Sequence, residues 1–154
     1  MYKACATAIG AVFLCAAATT ITSAHEHKAP HGGTLVVLGA EFAHLELVLD
    51  ARAGKLKAYV LDGEAEKFMR IQQKQIDLRL RPEDKKEESV VVTLKAVPNV
   101  LTGEKEGNTS QFEGEAVALR GATRFSGVIA ALAAQGVEFK DVQFRFPEGN
   151  EGKK

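Results

Sequence analysis

The segment "FAHLELVLD", Phe42 to Asp50, alternates along its length. Ala43, Leu45, Leu47 and Leu49 fall on one side of an extended chain; Phe42, His44, Glu46 and Val48 fall on the other. A period of two marks a strand with one face in a core. The same period runs through Leu56, Ala58 and Val60 in "KLKAYVLD", Ile76, Leu78 and Leu80 in "QIDLRLR", and Val142, Phe144 and Phe146 in "VEFKDVQFRF". "TLVVL" and "SVVVTLKAV" add strands rich in β-branched residues. Between them, Gly39-Ala40-Glu41 reads as a hairpin connection and Asp50 to Gly54 as a turn. "RPEDKKEE" reads as a charged loop, and "PNVLTGEKEGNTSQ" as a long loop punctuated by Gly and Asn. "GEAEKFMRIQQK" fits either a short helix or an irregular crossing.

The stretch "FSGVIAALAAQG", Phe125 to Gly136, has two readings. As a helix it would start at Ser126 as N-cap and stop at Gly136. As a strand it would turn at Gln135-Gly136 and pair with the strand that follows, because Gly accepts the positive φ of a two-residue hairpin turn. The hairpin is the favoured expectation. Short strands at this spacing, without a βαβ rhythm, give an all-β fold: a small antiparallel β-sandwich of Ig-like type, or a barrel. The expected domain spans residues 34–147, with 148–154 as a disordered tail.

The first 24 residues differ from the rest. Lys3 supplies a positive start, Ala4 to Ala18 is small and apolar, and Thr22-Ser23-Ala24 places small residues at −3 and −1 of a cleavage site. The run is shorter than the roughly 20 apolar residues that span a bilayer. Residues 1–24 are therefore expected to be a cleaved signal peptide, and the mature chain to be periplasmic or secreted. Both cysteines, Cys5 and Cys15, lie inside the leader, so the mature chain offers no thiol and no disulfide. Leu14, just before Cys15, is larger than the residue that normally precedes a lipidated cysteine. Removing 24 of 154 residues leaves 130, ordinary for one domain. Only Lys3 is lost among the charges, so 20 basic and 20 acidic groups become 19 and 20. That balance argues against nucleic acid as a partner. No second long apolar run predicts a transmembrane segment in the mature chain.

Three of the four histidines, His25, His27 and His31, fall inside "HEHKAPHGG", and the fourth is His44. Residues 25–33 carry Pro and Gly and no periodicity, so they are expected to form a flexible arm. If the mature chain begins at His25, its α-amine, two backbone amides and the His27 imidazole can wrap one square-planar Cu(II). Alternatively the arm folds back, so that His31 or His27 joins His44 and Glu46. Imidazoles with a carboxylate suit Zn(II). That fold-back assumes Val36 opposite His44 in the first hairpin. Alternation alone places His44 on the solvent face, and Gly32 and Gly33 are accounted for by a turn.

"HGGTLVVLG", "HLELVLD", "KLKAYVLD", "VTLKAVP" and "FEGEAVAL" together resemble a group of small exported bacterial β-domain proteins. Segments led by HGG also occur near periplasmic adaptors of heavy-metal efflux systems. The resemblance covers about residues 31–146 and carries over onto His31 and His44; at the terminal hairpin "AAQGVEF" replaces a more polar turn. It implies an envelope β-domain in metal homeostasis, with a metal-efflux component or another envelope protein as partner. No nucleophile elbow, phosphate loop, dinucleotide fingerprint or zinc-protease motif is present, so an enzyme is not expected. The competing expectation is a non-catalytic interaction module of the envelope with no metal role.

Overall fold

The computed structural model describes residues 27–84 and 89–150. Residues 1–24 (expected to be a signal peptide), His25 and the last four residues lie outside them. Eight strands follow one another: β1 (Thr34–Leu38), β2 (Ala43–Asp50), β3 (Lys55–Asp62), β4 (Gln75–Pro82), β5 (Val90–Ala96), β6 (Gln111–Glu115), β7 (Phe125–Ala134) and β8 (Val137–Phe146). One 3-10 turn, Val117–Leu119, lies between β6 and β7. All pairings are antiparallel, in the order β1-β2-β3-β6-β5-β4-β7-β8. The result is a single sheet nearly closed into a barrel, with 57% of the described residues in strands or isolated bridges. The all-β expectation holds.

The alternating positions form the core. Leu45 and Leu47 on β2, Leu56, Ala58 and Val60 on β3, and Ile76, Leu78 and Leu80 on β4 are wholly buried, together with Phe112 and Phe125. The first hairpin is offset by one residue from the expected register: Val37 faces His44, and Val36 faces Leu45. The cause is the pleat. A one-residue slip would exchange faces, and only the observed register puts both Val36 and Leu38 inside.

Phe125 to Ala134 is a strand, despite its helix-forming alanines, because it is paired on both sides, with β4 and with β8. Its turn has positive φ at Gln135 (49°) and Gly136 (82°), as a two-residue hairpin needs. Gly127 cannot carry a side chain, because a Cβ there would run into the Phe144 ring and a Leu80 methyl. "GEAEKFMRIQQK" is an irregular crossing, tied to the sheet by isolated bridges at Phe68 and Ile71.

The gap between β1 and β8 is closed by the segment after β8. The Asn150 amide accepts from Val37 N–H at 2.7 Å and donates to Val37 C=O at 3.0 Å. Thr34 donates its hydroxyl to the Pro147 carbonyl at 3.0 Å. A side-chain amide thus satisfies backbone groups on the free edge of β1, where a ninth strand would otherwise be needed. Glu148–Asn150, expected in the tail, belong to this closure.

Candidate metal centre beneath the N-terminal arm

The histidines meet on the outer face of β1–β2–β3. Cross-strand register makes two rows there. Leu35, Glu46 and Tyr59 lie side by side in one; Val37, His44 and Leu61 lie in the next. Strand alternation points Glu46 and His44 away from the core, which predicts exposure. Instead both are wholly buried. The expectation of a solvated His44 is corrected by the arm, which lies against this face.

The fold-back begins at Gly33. A Cβ at this position would sit 2.5 Å from the Leu47 carbonyl oxygen and 2.9 Å from Glu46 Cγ, so only Gly allows so close a crossing. A turn follows toward the N-terminus, with Gly32 N–H donating to the Ala29 carbonyl at 3.0 Å. Glu46 then fixes the arm. Its Oε1 accepts from His31 N–H at 2.7 Å and Gly33 N–H at 3.0 Å. Its Oε2 accepts from His31 Nδ1 at 2.8 Å. A buried carboxylate is tolerated when its oxygens are filled by donors, as here. The His31 ring stacks on Tyr59 with centroids 3.9 Å apart, and Phe68 flanks it at 5.7 Å. Burial, then the charges of Glu46 and Glu113, push the Tyr59 phenol above its ordinary value.

The next row holds the second pair. His44 Nδ1 lies 3.0 Å from the Asp62 carbonyl oxygen. A carbonyl only accepts, so Nδ1 carries the proton; in a neutral ring Nε2 is then the nitrogen with the lone pair. Among the described residues, that buried Nε2 has no hydrogen-bond partner. His27 packs over it, ring centroids 4.8 Å apart, and its own Nε2 is also buried without a partner. Asp62 is held in turn. Burial pushes its carboxyl up, but hydrogen bonds from the Glu66 and Lys67 backbone outweigh this and leave it below the usual value.

The four expected ligands therefore divide. His31 is engaged by Glu46, His27 and His44 face one another, and His25 lies outside the described residues. Among the described residues no group of three or more His, Cys, Asp or Glu is gathered as a ready metal cage. Two imidazoles sharing one ion at about 2.0–2.1 Å and a near-tetrahedral angle put ring centres roughly 5 Å apart. The observed 4.8 Å lies close to that, and equally within the roughly 4.5–7 Å range of an ordinary tilted ring contact. The Asp62 carbonyl supplies the outer hydrogen bond that commonly orients a ligating histidine. Asp62, Tyr59 and Phe68 were not singled out in the sequence; only the register Glu46↔Tyr59 and Ala43↔Asp62 brings two of them here. Comparison with models of protein families, with curated proteins and with solved structures found no match.

Proposed function

We propose that the protein is an exported β-domain that binds a transition metal beneath its N-terminal arm and serves metal homeostasis in the periplasm or outside the cell. The observation that carries this reading is the pair of orphaned imidazole nitrogens. A buried acceptor without a partner costs free energy, about 1–3 kcal/mol for each group. Two such nitrogens on rings in contact, with centroids 4.8 Å apart, are what a shared ion would satisfy. His27 and His44 supply two nitrogens, and His25 or the mature amine and water complete the set. Nitrogen donors favour Cu(II) over Zn(II) in the general affinity order. His31 acts through Glu46, holding the arm in place.

The test is copper and zinc titration of the mature protein by calorimetry, with electron paramagnetic resonance of the copper form. One Cu(II) is expected per chain. His44→Ala and His27→Ala each weaken it at least about tenfold, since one ligand is lost from a small set. If His44→Ala binds as the native chain does, the centre is not under the arm. If both variants do, metal binding is not the function.

One observation favours a second reading. Val100 and Leu101 are 94% and 97% exposed, on a loop closed by paired Asn99 and Glu104 backbone bonds. A fixed, exposed aliphatic tip suits contact with another envelope protein, such as a metal-efflux component. Under that reading alone, Val100→Ser with Leu101→Ser abolishes cross-linking to the partner, and the histidine variants change nothing.

A further inference from the structure

Away from the arm, a cavity of about 700 Å³ opens on the outer face of β4, β7 and β8. Register places its side chains in two rows. Arg81, Ser126 and Arg145 are neighbours across three strands, and Arg79, Val128 and Gln143 form the row beside them. Two strand spacings separate Arg81 from Arg145, roughly 9–10 Å, with the Ser126 hydroxyl between them. Two arginine side chains reach across that gap easily. Among the described residues three arginines line the cavity and no Asp or Glu does.

The surrounding acids are already committed. Asp141 takes Arg79 Nη2 at 2.6 Å. Glu83 and Glu148 both pair with Arg124. Asp77 accepts the Thr93 hydroxyl at 2.7 Å. Among the described residues no side-chain hydrogen bond or ion pair is formed by Arg81, Arg145, the Ser126 hydroxyl or the Gln143 amide, although the charge of Arg145 also acts on the Glu148 carboxylate. The floor thus presents two guanidinium forks, a hydroxyl and an amide. Guanidinium groups match tetrahedral oxyanions through paired N–H bonds.

We propose that this trough binds a phosphate or sulfate group, held by Arg81 and Arg145 from either side with Ser126 and Gln143 beneath it. The group belongs to a free oxyanion or to a lipid headgroup. The site is separate from the arm and independent of any metal there.

The test is inorganic phosphate titrated into the full mature chain at constant ionic strength, followed by nitrogen NMR of the arginine side chains. Saturable shifts are expected at Arg81 and Arg145. R81A/R145A weakens binding roughly tenfold or more, since charge-assisted bonds are lost. R81K/R145K keeps the charge but loses the forks, and falls in between. R52A/K105A, which removes two cations elsewhere, leaves binding unchanged. Vesicles containing phosphatidylglycerol separate the sources: binding that phosphate competes away assigns the headgroup, and phosphate binding without vesicle binding assigns the free ion. No saturable shift, or equal losses in R81A/R145A and R52A/K105A, overturns the site.

Discussion

Glu46 controls the arm through three hydrogen bonds on a wholly buried carboxylate. Glu46→Ala removes the partner of the part-buried His31 and Gly33 N–H groups and of the His31 ring, at about 0.5–1.5 kcal/mol for each hydrogen bond lost. Urea unfolding should show a loss of about 2–4 kcal/mol. Glu46→Gln keeps one oxygen and loses less; an unchanged midpoint in Glu46→Ala would mean the arm is not held this way. Asp62 is set below 3.8 by backbone donors that outweigh burial. Glu104 is set below 4.5, where burial is outweighed by the hydroxyls of Ser110 and Thr102. Both titrate lower in the folded than in the unfolded chain, so the stability they contribute is fully present above the unfolded values. It is lost as pH falls through the folded ones. Their share of the urea midpoint should hold from pH 7 to about 5 and decline below about 4. Asp62→Asn with Glu104→Gln should flatten that decline.

At the scale of the element, β2 shows how far its letters could be read. Ala43, Leu45 and Leu47 were legible as core because alternation records one face of a strand. His44 and Glu46 were legible as sharing the other face. Their burial was not, because it depends on seven residues that carry no periodicity and lie across the strand from outside it. The terminal hairpin was legible from Gln135-Gly136, whereas the alanine content of β7 spoke for helix and lost to pairing on two edges. The division of the described histidines, His31 to Glu46 and His27 to His44, was beyond reach for the same reason as the burial: it is set by where the arm turns. Gly33 sets that crossing. Gly33→Ala pushes a methyl against the Leu47 carbonyl and the Val48 side chain, so the arm must lift or β2 must shift. The cost should be about 1–3 kcal/mol, typical of overpacking. Tyr59 fluorescence should rise in exposure to quencher as His31 leaves its ring. Full retention of stability and of the Tyr59 signal would show that the crossing has slack.

For the whole molecule, the barrel's closure and the proposed metal site are separate matters. Closure rests on Asn150 against Val37; Asn150→Ala leaves two backbone groups of β1 without their partner and should lower stability by about 1–2 kcal/mol, with faster hydrogen exchange confined first to β1. The core that holds the sheet together runs from Val36 to Phe144 and includes no residue of the arm. Metal removal should therefore leave the fold intact. Binding adds stability only by linkage, about 2.7 kcal/mol when free metal is a hundredfold above its dissociation constant. For a domain of this size that raises Tm by roughly 10 °C. Imidazole must be unprotonated to ligate, so the increment should shrink as the solution is made more acidic. Far-ultraviolet dichroism and thermal melts with and without chelator check this together. The expected pair of results is an unchanged strand spectrum and a melting point that falls to the level of His44→Ala. A chelator that abolishes the strand spectrum would make the ion part of the fold, and a melting point indifferent to metal would leave His27 and His44 as a packing contact alone.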